Sequence, residues 1–317
     1  MGLMRWFWLG FWRLWEALHK KPGRTPAAAS STPGATPHSG DSEIKDVVVL
    51  KLKARAEHGD AQAQVELGIC YFNGDGVAPN YREAAQWFRR AAEQGHPLGE
   101  ANLAICYANG QGVTQDYAQA VEWFRRAAKQ GDARSMVSLG VCYQNGQGVP
   151  RNESEAVKWF EAAARLGYPP GLVSLAACLQ TGCGVPVNEA RAFELYFKAA
   201  ETGQAVAQYE VARCYETGSG TRKDAAAAAQ WCLKAALQGL VQAQHQMGLW
   251  YWEGWGVPRD WVEAAKWLML AAEHGDTAAV ADWEALKSQL TQAQQEEALR
   301  RKAIVQQTSS TPSPRQP

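Results

Sequence analysis

The chain has 317 residues with 32 basic and 32 acidic side chains. That zero net charge argues against nucleic acid as the main partner, because duplex binding needs clustered cations. Seven cysteines are too sparse for a small disulfide scaffold, and odd in number. No apolar run approaches the ~18 residues that span a bilayer as a helix. The 14 tryptophans matter by place: four precede residue 16 and six lie between Trp250 and Trp283.

Residues 1–20 read as an amphipathic, aromatic helix. At about 100° per residue, Met4, Phe7, Phe11, Leu14, Trp15 and Leu18 share one face. Arg5, Arg13 and Glu16 share the other, and Lys20, Lys21 and Arg24 follow. An aromatic face flanked by cations suits a membrane interface, with Phe7, Phe11, Leu14, Trp15 and Leu18 as its contacts. Two alternatives stand beside it. One is a secretory signal, whose apolar run from Trp6 to Trp12 is cut off by Arg13. The other is docking on the rest of the chain or on a partner. Met1-Gly2 does not open a myristoylation site, because Trp6 stands where Ser or Thr is needed. Residues 21–45, rich in Pro, Ala, Ser and Thr, read as a flexible linker.

Residues 46–60 predict a capping helix ending at Gly59. From there glycines recur every 36 residues, at Gly59, Gly95, Gly131, Gly167, Gly203, Gly239 and Gly275. Trp87, Trp123, Trp159, Leu195, Trp231 and Trp267 keep the same period, as do Tyr71, Tyr107, Tyr143, Leu179, Tyr215 and Tyr251. Alanine fills Ala84, Ala120, Ala156, Ala192, Ala228 and Ala264. Such a period marks a repeat architecture. The units are 61–96, 97–132, 133–168, 169–204, 205–240 and 241–276.

Each unit predicts two helices. Helix A of repeat 1 carries Ala63, Leu67, Cys70 and Tyr71; helix B carries Ala84, Trp87, Phe88, Ala91 and Ala92. Both sets form one apolar stripe on a 3.6-residue period. The loop Gly74-Asp75-Gly76-Val77 ends helix A. Asn80 then caps helix B, with Glu83 in capping-box spacing, and Asp116, Asn152, Asn188, Asp224 and Asp260 repeat the cap. Gly95 suits the left-handed position that closes helix B. Pro97 and Pro169 open a helix A, where the missing N–H does no harm. Gly68, Ala84 and Ala91 let the helices approach closely, with Trp87 and Tyr71 expected to supply most of the buried area. A lone pair cannot bury its stripe, so neighbours stack into a superhelix. By analogy with other helix-pair arrays, helix A lines the concave wall.

Leu67-Gly68-Ile69-Cys70-Tyr71, Gly74-Asp75-Gly76-Val77, Ala84, Trp87, Ala91-Ala92 and Gly95 together resemble the Sel1-like repeat family of the tetratricopeptide-like superfamily. The likeness covers about residues 46–306. It implies an all-α, α/α solenoid, a right-handed superhelix of six 36-residue helix pairs with helical end caps. It also implies a non-catalytic adaptor that binds protein partners. Repeat 4 departs from the pattern with Leu179 and Leu195, and Tyr196 and Phe197 are candidates to refill that space. Residues 277–306 predict two capping helices, the second opened by a capping box at Thr291 to Gln294. The tail from 307 to 317 reads as disordered.

Cys70, Cys106, Cys142, Cys178 and Cys214 form a column that Trp250 continues. A packing position accepts that change and a ligand position does not, so the column reads as buried thiols. Neighbouring helices ~8–10 Å apart exceed the ~7 Å limit for a disulfide. Cysteine-rich relatives staple each repeat with two cysteines; this sequence lacks that pattern, so their suggested lactam-directed activity is not carried over. Cys178 and Cys183 are expected to pair only after rearrangement. The Gly-x-Gly loops follow helices rather than strands, so they read as turns and not phosphate cradles. The Asn152-Glu153-Ser154 sequon reads as a helix cap. The histidines lack ligand spacing, and no cofactor, metal or small-molecule substrate is implied.

The candidate partner-binding residues lie on helix A off its stripe. One track holds Glu66, Asn102, Ser138, Ser174, Glu210 and Gln246; a second runs through Asn73, Asn109, Asn145, Thr181, Thr217 and Glu253, with its three asparagines as the candidates. The competing reading is a solvated face for both tracks or, for the asparagine column, capping of the glycine loops. Trp252 and Trp255 lie off the core columns, as hot-spot candidates or as packing for the end cap. The resulting expectation is a cytoplasmic adaptor attached to a membrane surface through residues 1–24. The alternative is a periplasmic or secreted repeat protein with an external or envelope partner.

Overall fold

The computed structural model describes residues 39–310, and these form fifteen helices and no strand. The predicted membrane face, Phe7, Phe11, Leu14, Trp15 and Leu18, lies outside the described residues. Helix α1 is Ser39–Glu57. Helices A are α2 (Ala61–Asn73), α4 (Pro97–Asn109), α6 (Ala133–Asn145), α8 (Pro169–Thr181), α10 (Ala205–Thr217) and α12 (Val241–Glu253). Helices B are α3 (Tyr81–Glu93), α5 (Tyr117–Lys129), α7 (Glu153–Arg165), α9 (Glu189–Glu201), α11 (Ala225–Leu237) and α13 (Trp261–Glu273). Helices α14 (Thr277–Lys287) and α15 (Gln292–Ser310) close the array.

Two boundaries differ from the sequence reading. Helix α1 begins at Ser39, inside the predicted linker. Helix α15 runs to Ser310, into the predicted tail. Nothing there breaks a helix until Pro312, which disfavours the helical conformation of the residue before it.

The local signals act as the sequence reads. Asn80 Oδ1 accepts from the N–H groups of Arg82 and Glu83 at 3.1 and 3.2 Å. Asp116, Asn152, Asn188, Asp224 and Asp260 cap their helices in the same way. The N–H of each cap does not go to a glutamate three residues on. It donates instead to the backbone carbonyl at the end of helix A: Asn80 to Tyr71 at 2.8 Å, Asn152 to Tyr143 at 2.8 Å, Asn188 to Leu179 at 2.8 Å. The cap thereby ties helix B to helix A. At the far end, Thr291 and Gln294 form the reciprocal box, with bonds of 2.9 and 3.3 Å.

The glycines of the inner loops fix how repeats meet. Gly148 has φ +72°, and a Cβ on it would lie 2.2 Å from the Tyr117 carbonyl oxygen of the preceding helix B. Gly112 stands in the same way against Tyr81. Only a residue without a side chain fits this contact. Gly131 is also left-handed, at φ +93°, but faces open space.

The core is carried by a different aromatic column from the one expected. Phe88, Phe124, Phe160, Tyr196, Cys232 and Leu268 are all buried. Small helix-A residues face them: a Cβ on Gly68 or Gly140 would lie 2.5 Å from the ring of Phe88 or Phe160. Tyr71 is half-buried, as are Trp123, Trp159 and Trp231. The tryptophan column faces the preceding repeat, so it is fully covered only at the ends. Trp87 packs with Val49 and Ala56 of α1, and Trp267 lies in a cluster with Cys232 and Val305. In repeat 4, Tyr196 occupies the buried phenylalanine position. Phe197 reaches forward instead, edge-on to Trp231 with ring centroids 5.4 Å apart.

A buried side chain at the fourth position of helix A latches some joints. Gln64 Nε2 donates to the Ala56 carbonyl at 3.1 Å, and its Oε1 accepts from Gln94 at 2.8 Å. Gln208 repeats this with Ala200 and Gln238 at 3.4 and 2.8 Å. Gln244 repeats it with Ala236 and His274 at 3.2 and 3.1 Å. Repeat 2 has Glu100, which accepts from Gln130 Nε2 at 2.7 Å and lies 3.5 Å from Arg126. Repeats 3 and 4 have Met136 and Leu172 there, both buried.

Candidate protein-binding surface

Helix A of repeat 1 packs on helix A of repeat 2, and that of repeat 3 on that of repeat 4, more closely than the helices B of neighbouring repeats pack. At these two joints helices A form the more closely packed layer, in keeping with the inner position expected of them. Residue by residue, the wall differs from the uniform polar track the sequence implies.

Ser138 and Ser174 are not available on it. They are 4% and 1% exposed, and Ser174 Oγ donates to the Pro170 carbonyl at 2.9 Å. Both lie on the helices A of repeats 3 and 4, which pack on one another. The second track serves the loops: Asn73 Nδ2 donates to Asp75 at 3.1 Å, Asn109 to Gln111 at 3.2 Å and Asn145 to Gln147 at 3.5 Å. Asn73 is exposed, and Asn109 and Asn145 are half-buried.

The remaining candidates are half-buried. Glu66 accepts from Gln62 Nε2 at 2.8 Å. Asn102 Oδ1 accepts from Arg134 Nη2 at 3.1 Å, a bond that crosses from repeat 2 to repeat 3. Glu210 pairs with Arg213 at 3.0 Å. Burial pushes the Glu210 carboxyl up, and Arg213 pulls it partly back. The same pair holds the Arg213 guanidinium charged. Burial also pushes up the neighbouring Tyr209 hydroxyl and Glu216 carboxyl. Gln246 follows on α12. Trp252 packs against the end-cap cluster of Leu268, Leu286 and Ala298, and Trp255 stacks on Trp250 with centroids 4.5 Å apart.

Sequence reasoning missed Arg134 and Arg213. The signal for Arg213 was present, since its column otherwise reads Ile69, Ile105, Val141, Ala177 and Leu249. A cation in an apolar column needs a partner, and Glu210 is one turn away. His245 was also missed: it lies 2.7 Å from Asp282 and 3.4 Å from Asp276, joining repeat 6 to α14.

The cysteines of the repeat column are free thiols. Desolvation pushes Cys106, Cys142 and Cys214 up to about 12, which keeps them protonated and inert. Asn152 Oδ1 accepts from the Glu155 N–H at 3.0 Å, the capping role expected of it. Among the described residues, no three of His, Cys, Asp and Glu gather as a metal site, and no helix is long and apolar enough to cross a membrane.

The fold is shared with solved structures. A protective antigen of uropathogenic Escherichia coli strains, displaying an SLR fold, superposes with TM-score 0.69 at 36% identity. The match covers 83% of this chain and 57% of that one. A Sel1 repeat protein from Oxalobacter formigenes gives TM-score 0.64 at 29% identity, covering 73% of this chain and 96% of that one. In sequence, 48 residues are 44% identical to the secretory immunoglobulin A-binding protein EsiB of Escherichia coli O6:H1. That stretch is 15% of this chain and 10% of EsiB. The Sel1 repeat model matches residues 61–96, 97–132, 133–168, 169–203, 205–240 and 241–276. Sel1 repeat proteins are generally non-catalytic scaffolds that bind other proteins. With all six units matched and more than half its length covered, the chain belongs to the Sel1 repeat family.

Proposed function

We propose that this chain is a non-catalytic adaptor that holds a protein segment along the helix-A wall, while residues 1–24 attach it to a membrane surface from the cytoplasmic side. The observation that carries the reading is the Glu210–Arg213 pair. It is partly desolvated, lies on helix A of repeat 5, and breaks a column that is apolar in every other repeat. A half-desolvated charge pair is a costly surface to keep unless a partner uses it for register and specificity. The polar groups of Asn102, Arg134 and Gln246 extend the same wall. Support for the membrane half is the aromatic face of residues 4–18 and the cations around it.

The test uses the full chain as bait for partner proteins, beside Arg213→Glu and a truncation lacking residues 1–24. Arg213→Glu should weaken capture of the partner about tenfold. Because it sets a like charge beside Glu210, its capture is compared at a temperature where thermal unfolding shows the variant still folded. The truncation should keep the partner and lose sedimentation with anionic vesicles, as should Phe11→Glu. Equal capture by Arg213→Glu would remove the wall from the account. Equal sedimentation of all forms would remove the membrane. A second reading, a secreted or periplasmic protein with an external partner, is supported by the names of the two Escherichia coli relatives, an antigen and an immunoglobulin A binder. An intact Met1 or Gly2 on the mature chain would speak against it.

A further inference from the structure

Each helix A ends in a turn that bends the chain back on itself. In repeat 4 the N–H groups of Gly182 and Cys183 both donate to the Cys178 carbonyl, at 2.9 and 3.2 Å, with Gly182 left-handed at φ +77°. This arrangement brings the side chains of the first and sixth residues of the turn together. Repeat 6 demonstrates it: Trp250 and Trp255 hold the same two places, and their rings lie 4.5 Å apart. The pair is Cys70 with Asp75, Cys106 with Gln111, Cys142 with Gln147 and Cys214 with Ser219 in other repeats. Repeat 4 alone places two thiols there. The turn sets the two free thiols at the places that hold the neighbouring Trp250 and Trp255 rings in repeat 6.

The two thiols are not equivalent. Cys178 is buried, and the neighbouring Cys183 and burial both push its thiol up, so that it stays protonated. Cys183 is half-buried in the loop and accepts from Gln144 Nε2 of the preceding repeat at 3.6 Å. Cys178 and Gln144 favour its thiolate and hold it below the ordinary thiol range, against the opposing effects of burial and of Glu153. Thr181, where repeats 1 to 3 have asparagine, bonds back to the Ala177 carbonyl at 2.8 Å and leaves the loop side chain to the sulfurs. The result is a half-exposed thiolate former beside a buried thiol, the pairing that thiol oxidation chemistry uses.

We propose that Cys178 and Cys183 form a reversible oxidation site for hydroperoxides, with Cys183 as the reacting thiolate and Cys178 as the resolving thiol. The Cys183 thiolate attacks one oxygen of hydrogen peroxide and the O–O bond breaks. Cys183 becomes a sulfenic acid, and the released hydroxide takes a proton to give water. Cys178 then attacks the Cys183 sulfur, the S–O bond breaks, and the departing hydroxide takes the Cys178 proton as a second water. Two thiols are oxidised to one disulfide and one peroxide is reduced to two waters. The new bond staples the end of α8 to the loop that leads into α9, closing a ring at the end of the fourth helix A. A dithiol reductant reverses it.

The experiment treats the reduced full-length protein with limiting hydrogen peroxide and maps its peptides without reduction. The wild type should gain a Cys178–Cys183 link that dithiothreitol removes. Cys178→Ala should stop at a Cys183 sulfenic acid that dimedone traps. Cys183→Ser should leave Cys178 unmodified at the same dose. Iodoacetamide at neutral pH should alkylate Cys183 about threefold faster than Cys70 of the same chain, the larger thiolate fraction being partly offset by lower nucleophilicity. Gln144→Leu should reduce that advantage. If Cys178→Ala does not fold, the wild-type map and Cys183→Ser decide. Alkylation or oxidation of Cys183 no faster than of Cys70, or Cys183 oxidised while Cys178 remains free, would overturn the proposal.

Discussion

Repeats 1, 2, 5 and 6 and repeats 3 and 4 share one backbone plan but hold together differently. In the outer repeats a buried amide or carboxylate, Gln64, Glu100, Gln208 or Gln244, is engaged by the residue that ends its own helix B. In the inner repeats the same place is Met136 or Leu172, and the residue that would engage it is an exposed Leu166 or Thr202. Thr202 Oγ1 turns to its own helix, donating to the Ala199 carbonyl at 2.7 Å. A buried polar group is tolerated when fully paired and costly when half-paired, whereas replacing both partners by apolar groups is close to neutral. The two solutions are therefore interchangeable as pairs and not as single residues. What the inner repeats lack in polar latching they must obtain from apolar burial.

The largest test of that difference is in the phenylalanine column. Phe160 of repeat 3 is fully buried against Gly140, and Phe160→Ala should cost ~3–5 kcal/mol. Cys232→Ala, in the same column of repeat 5, removes one heavy atom and should cost about 1 kcal/mol. Trp159→Ala should cost less than Phe160→Ala, because Trp159 is half-buried. Thermal unfolding of the three variants orders them. A Trp159 effect larger than the Phe160 effect would return the core to the tryptophan column.

A smaller effect follows from moving a latch. Leu172→Gln puts an amide among buried side chains with no residue to engage its carbonyl, at a cost of ~2–3 kcal/mol. Adding Thr202→Gln supplies the missing donor and should recover about 1 kcal/mol. Denaturant unfolding of the single and double variants measures the coupling. Strict additivity would show that the outer latches are packing in another guise.

The smallest effect is at Glu100. Burial raises its carboxyl above the ordinary glutamate value of 4.5, and Arg126 and Gln130 offset this only in part. The folded state thus holds the Glu100 proton more tightly than the unfolded chain does. Stability falls as pH rises from the unfolded value through the raised one, and the full penalty is present at neutral pH. Glu100→Gln removes the penalty and restores an amide that can donate to the Ala92 carbonyl, as Gln64, Gln208 and Gln244 do to theirs. It should stabilise the protein by about 1 kcal/mol at pH 7 and by less below pH 4.5. A gain independent of pH would assign the whole effect to the hydrogen bond.

The fold was legible because its signals are local. Glycines 36 residues apart, the caps from Asn80 to Asp260 and the two stripes each specify structure within a few residues of themselves. The depth of a side chain was not legible to the same degree. Trp87 and Phe88 are neighbours on one helix, and which column is better covered depends on what the preceding repeat places against it. Ser138 and Ser174 failed as surface residues for a similar reason: helical periodicity gives a direction, not the distance to the next helix A. The Glu210–Arg213 pair was within reach of sequence reading, as a charge in an apolar column. Arg134 on Asn102 was not, since 32 positions separate them.

The central claim is that partners lie on the helix-A wall. Photo-crosslinking tests it directly, with benzoylphenylalanine at Gln246 on the wall and at Lys198, exposed on helix B of repeat 4. The account predicts a partner adduct from position 246 and none from position 198. An adduct from position 198 with none from position 246 would place the partner on the outer face and contradict it.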